Sequence, residues 1–168
     1  MLLWFSSTGK FGVSDWPKIK ALVGGGYEVL SFDFRGLGED RMLYDAGSPG
    51  DPNSAAAVTD AAYLSPLAGV LANYIYNSLL TGRPYFLQMI EDAEIVSRFA
   101  RAKISAERVL VTARGDGYTL ACAVAEAVPG VEMLPQPGEK RILWSELVAQ
   151  KRELWPIHYL LPGGAYIR

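Results

Sequence analysis

The chain has 168 residues, half of them apolar and a fifth charged, a composition that excludes disorder and suffices to bury the core of one domain. Sixteen basic residues stand against eighteen acidic ones, and no basic block tracks a phosphate backbone, so nucleic-acid binding is not expected. The apolar stretch from Ala55 to Leu80 is interrupted by Asp60, Pro66, Asn73 and Asn77, which defeats a membrane span, and the lone Cys122 has no partner for an internal disulfide.

In chain order, Leu2 to Phe5 is an apolar run closed by Ser6-Ser7-Thr8-Gly9, the pattern of a buried parallel strand ending in a loop. Ser14 or Asp15 is expected to cap a helix that carries Trp16-Pro17 in its first turn and Ile19, Leu22 and Val23 on its apolar face. Gly24-Gly25-Gly26 should stop it. Tyr27 to Phe34 reads as the next strand, turned by Arg35-Gly36-Leu37-Gly38. Residues 45–54 are turn formers and read as a surface loop. Helical pattern runs from about Ala55 to Leu80 with a break near Ser65-Pro66. After Thr81-Gly82-Arg83-Pro84, an amphipathic helix is expected. Phe86, Met89, Ile90, Ala93, Val96, Phe99 and Ala100 lie on its inner face, with Glu91, Glu94, Arg98 and Arg101 opposite. Glu94 and Arg98 form a helix-supporting pair.

Arg108 to Ala113 reads as a third strand, Arg114-Gly115-Asp116-Gly117 as a tight turn, and Tyr118 to Val128 as a helix of small residues. Val131 to Leu134 is a fourth short strand, followed by a helix near Leu143 to Leu154 and an apolar run at Ile157 to Leu161. Strands alternating with helices imply one α/β domain over residues 1–168, three-layered (α/β/α) around a mostly parallel sheet. The chain opens inside a strand and closes on Tyr166-Ile167-Arg168 without a winding-down segment. The fold is therefore expected to be incomplete at both ends, part of a longer polypeptide or a shortened one. Open sheet edges would favour a homo-oligomer or a covering partner.

The strand–turn–helix at 108–127 carries the most chemical information. A hydrolase nucleophile elbow places its nucleophile on a sharp turn, G-x-S-x-G, with small neighbours because strand and helix crowd together. Here the pattern becomes Ala113-Arg114-Gly115-Asp116-Gly117, followed by Ala121, Ala123 and Ala125. The small flanks are kept and the serine is not. Asp116 is a fallback nucleophile of the dehalogenase kind, but such an elbow wants small residues where Arg114 and Tyr118 stand.

With these features together the sequence resembles acetyl xylan esterase-like members of the α/β-hydrolase superfamily. Asp33-x-Arg35-Gly36-x-Gly38-Glu39 is similar to their D-x-R-G-x-G-E stretch, and Gly82-Arg83-Pro84 with the Asp92 helix is similar to the segment before their elbow. Ser145 to Leu147 and Trp155 to Gly163 resemble the segments after their penultimate core strands. The resemblance spans most of the chain and implies an α/β-hydrolase fold with, in active relatives, a Ser-Asp/Glu-His triad that deacylates esters. Carried over by position, the nucleophile falls on Gly115. The family's acid and histidine fall beyond Pro162-Gly163, after which five residues remain; the single histidine, His158, comes earlier. Oxyanion donors would be the Asp116 N–H and one from the loop holding Thr8 and Gly9.

Three functions are expected on this basis. The first is an esterase-like domain that has lost hydrolysis. The second is an active carboxylic or carbohydrate ester hydrolase completed by a longer chain or a partner, or using Asp116 or Ser145. The third is a module binding a small ester or sugar at the carboxyl ends of the strands, with Asp33, Arg35 and Tyr118 as contacts. No cofactor is implied. The segment Ser6 to Lys10 lacks the first glycine and final Ser/Thr of a phosphate loop, Arg114-Gly115-Asp116 matches an adhesion tripeptide by chance, and no residues have metal-ligand spacing.

Overall fold

The computed structural model describes residues 1–6, 9–10, 12–40, 70–115, 117–143, 145, 146 and 149. In chain order they form β1 (Leu2–Phe5), α1 (Trp16–Gly24), β2 (Val29–Ser31), α2 (Val70–Leu80), α3 (Tyr85–Ile104), β3 (Val109–Ala113), α4 (Gly117–Ala127) and β4 (Val131–Met133). Single turns of 3-10 helix precede α1 and follow β2. Among the described residues, no helix is long and apolar enough to cross a membrane.

All four strands are parallel, in the order β2-β1-β3-β4. Parallel neighbours need crossovers, which the helices supply. The two central strands read as unbroken apolar runs because both faces are covered: every residue of β1 and β3 is buried. Side chains alternate. Leu3 and Phe5 join Val109, Val111 and Ala113 in the main core, with Leu71 and Ile75 of α2, Phe86, Met89 and Ala93 of α3 and Leu120, Ala121 and Val124 of α4. Leu2, Trp4, Leu110 and Thr112 take the other face.

Trp4 shows how that second face is tied down. Its indole Nε1 donates to Asp15 Oδ2 at 3.1 Å. Asp15 stands at the N-cap position of α1 but makes no side-chain cap hydrogen bond, because its carboxylate is directed to the indole. The capping expected of Asp15 is thus replaced by a tertiary bond. Trp4→Phe should lower stability by about 1–2 kcal/mol, through the lost hydrogen bond and the small void left behind. The midpoint of urea unfolding at unchanged slope reports it.

Two other expectations are corrected. The strand predicted over Tyr27 to Phe34 is only Val29–Ser31. Pairing with β1 runs from Leu2–Val29 to Trp4–Ser31, so Phe32 to Phe34 lie beyond the last paired rung. Phe32 and Phe34 instead pack on the Phe5 ring, at 5.7 Å and 4.8 Å, both edge-on. In α3 the inner face follows Phe86, Met89, Ala93, Ser97 and Ala100, while Phe99 is 52% exposed. The Glu94–Arg98 pair forms as expected. Of the helical pattern expected over 55–80, the described part forms α2 (Val70–Leu80), and the rest, like most of the helix expected at 143–154 and the apolar run at 157–161, lies outside the described residues.

Candidate functional site

The strand order reverses between β1 and β3: β1 connects outward to β2 on one side, and β3 to β4 on the other. In open parallel sheets the crevice at the carboxyl ends of the strands, beside such a reversal, is where ligands bind. The turn after β3 stands there.

Its geometry comes from its small residues. A Cβ placed on Gly117 would meet Ala113 Cβ at 3.3 Å and the Phe5 carbonyl oxygen at 3.6 Å, so the start of α4 lies against the ends of both central strands. A side chain there would sit a few tenths of an ångström too close to Ala113, so glycine gives the tightest approach. Gly115 forms the apex with φ +54°, a left-handed conformation. A Cβ there would meet nothing within 4 Å. The apex therefore has room for a side chain and none is present. Its carbonyl accepts from the Tyr118 N–H at 3.0 Å, and its own N–H donates to Glu139 Oε2 at 2.8 Å.

Glu139 reaches the apex from a turn that the sequence prescribes. The Glu139 N–H donates to the Gln136 carbonyl at 3.2 Å, with Pro137 and Gly138 between them and Gly138 at φ +83°. Pro-Gly at the two central positions is the signature of a type II turn. That signal was available in the sequence. What it could not tell was that the turn delivers a carboxylate to Gly115, 24 residues away.

The D-x-R-G-x-G-E stretch is a loop-building device. The Asp33 side chain is only 2% exposed. Its Oδ1 accepts from the Lys10 N–H at 2.6 Å and its Oδ2 from the Glu39 N–H at 3.0 Å, tying the loop after β1 to the loop after β2. Gly9 and Gly38 approach closely beside it: a Cβ on Gly9 would lie 2.9 Å from both Asp33 Oδ1 and the Gly38 Cα. The Lys10 ammonium bridges Asp33 and Glu39, and its hydrogen bond to Glu39 raises its pKa.

Arg35 turns the other way. Its guanidinium engages Asp92 of α3 through Nε at 3.0 and 2.9 Å and also through Nη2, and Nη1 donates to Gln88 Oε1 at 2.8 Å. The hydrogen bonds to Asp92 raise the Arg35 pKa further above its ordinary value. Tyr85 donates its hydroxyl to the Arg35 carbonyl at 2.6 Å, and Tyr74 donates to Gln88 Oε1 at 2.6 Å. The segments around residues 35 and 92, far apart in the chain, thus meet in one bidentate ion pair.

Tyr118, another expected contact, is 7% exposed in the first turn of α4. Ser145 is exposed. Cys122 is half-buried, and burial pushes its thiol pKa up, which makes it a poor nucleophile. Thr8, Asp116 and His158 lie outside the described residues, so of the expected oxyanion loop only Gly9 is placed. Beside the turn after β3 a cleft of about 380 Å³ opens between Pro17 and Lys18 at the start of α1, Arg114, and the Gln136–Glu139 turn.

In comparisons with protein-family models, curated proteins and solved structures, nothing matches this chain. Its function is therefore read from the residues and their geometry.

Proposed function

We propose that the chain is an acetyl xylan esterase-like α/β-hydrolase domain, with helices on both faces of its sheet, that has lost hydrolytic chemistry. The observation that carries this proposal is the apex of the strand–turn–helix. It has the tight packing and left-handed backbone that an elbow needs, but the apical residue is Gly115, and a carboxylate from Glu139 is bonded to its N–H. Support also comes from the Arg35–Asp92 pair, which joins two segments that resemble the same family. An anionic oxygen beside the apex opposes the negative charge that builds on an ester carbonyl during acyl transfer.

The purified chain should hydrolyse aryl acetates no faster than a Lys103→Ala surface variant. Turnover well above that control, abolished by substitutions at Arg114 or Glu139, would instead support an active ester hydrolase. Gly115→Ser has space for its Cβ, and should fold at a cost of about 1–2 kcal/mol for a non-glycine residue at positive φ. It is expected to stay inactive, because the resemblance puts the family's acid and base beyond position 163. A gain of about a hundredfold in esterase rate, equivalent to nearly 3 kcal/mol of barrier, would show that only the nucleophile had been lost.

A second reading, a small-molecule binding module, is favoured by the cleft beside the elbow.

A further inference from the structure

We propose that this cleft is a binding site for a small hydroxylated carboxylate of the sugar-acid class. The inference deepens the binding-module reading and is independent of the esterase ancestry, so its failure would leave the esterase-like proposal standing.

Size is the first constraint. About 380 Å³ lies at the lower end of small-ligand sites and suits a single sugar ring rather than an oligomer. Charge is the second. Among the described residues that line it, Arg114 and Lys18 bring two positive charges and Glu139 one negative, a formal excess of one that matches a monoanion.

The donors also have hydrogen-bonding capacity to spare. Arg114 forms a loose ion pair with Glu139, Nε to Oε1 at 3.8 Å, which is longer than a hydrogen bond, and among the described residues its guanidinium makes no hydrogen bond. Its planar fork is therefore open to a carboxylate, the geometry that arginine recognises bidentately. The other oxygen of Glu139 is held by the Gly115 N–H. Lys18 sits in the first turn of α1, where a cation opposes the positive end of the helix dipole. That turn holds no acidic residue, and Asp15 directs its carboxylate to Trp4. An anion in the cleft would offset the Lys18 charge at that end of the helix.

Gln136 points to a polar ligand by a separate route. It is 7% exposed and lines the cleft, yet among the described residues its side-chain amide makes no hydrogen bond. Neither amide atom is sealed from solvent, so the group keeps its hydrogen-bonding capacity for what enters the cleft. Hydroxyl groups of a ligand would satisfy both its donor and its acceptor. Pro17 and Pro137 supply an apolar surface for the C–H face of a sugar ring.

Isothermal titration calorimetry of the full chain with D-glucuronate tests the proposal. A Kd of about 1 mM or tighter is expected, with no binding of uncharged D-glucose at the same concentrations. Arg114→Ala and Gln136→Leu should each weaken glucuronate at least tenfold, roughly 1.4 kcal/mol, while Lys103→Ala binds as the parent chain does. Arg114 is half-exposed, so Arg114→Ala keeps the test decisive if Gln136→Leu does not fold. Three results would overturn the assignment: no heat of binding up to about 10 mM, glucose binding as well as glucuronate, or undiminished affinity in Arg114→Ala.

Discussion

Replacing Gly38 by alanine is expected to destabilise the fold by about 3 kcal/mol, roughly 1 from a left-handed backbone and roughly 2 from overpacking. Gly38 has φ +55°, and a Cβ there would overlap the carboxylate of Asp33. That carboxylate cannot swing aside cheaply. It is buried, and each oxygen holds a backbone N–H, one from Lys10 and one from Glu39. Moving it would strand two donors and separate the loops after β1 and β2. Gly115→Ala is the internal control, since it has nearly the same φ but open space around its Cβ. It should cost only the backbone part, about 1 kcal/mol. Equal losses in urea unfolding for the two variants would mean that the Asp33 clamp contributes nothing.

Asp92→Ala should cost about 2–3 kcal/mol. The substitution leaves the Arg35 guanidinium, 31% exposed, with Gln88 and the Tyr74 hydroxyl as its remaining acceptors among the described residues, and it also strips the Arg35 N–H of its partner. Removing one member of a largely buried pair is worse than removing both, because the survivor keeps its desolvation penalty. The double variant Arg35→Met/Asp92→Leu should therefore be more stable than Asp92→Ala alone. A double-mutant cycle in urea gives the coupling directly, and about 1 kcal/mol or more is expected. Additive losses would reduce the pair to two independent surface charges.

Much of the fold was legible along the chain because it is encoded locally. Leu2-Leu3-Trp4-Phe5 and Val109-Leu110-Val111-Thr112-Ala113 announce strands covered on both faces, and both are buried throughout. The 3.6-residue spacing from Phe86 to Ala100 announces α3, and strand–helix alternation announces the parallel sheet. The small residues at 113 and 117 also told that strand and helix crowd there, as the Ala113–Gly117 approach bears out. Element ends were less legible. The extent of β2 depends on how far β1 runs beside it, which the residues of β2 do not record. The extra apolar residue Phe99 lies outside the stripe that α4 and the sheet can cover.

The candidate site divides in the same way. The sequence by itself determined that the residue at the turn between β3 and α4 is a glycine, and that charged residues stand at 33, 35 and 92. Only the tertiary structure decided what those charged groups do: Asp33 clamps two loops, Arg35 grips Asp92 across 57 residues, and Glu139 arrives at the elbow from a distant Pro-Gly turn. The physical reason is that backbone conformation is governed by neighbours in the chain. A hydrogen-bonded charge is governed by what folding brings within about 3 Å of it, and spacing along the sequence does not carry that distance.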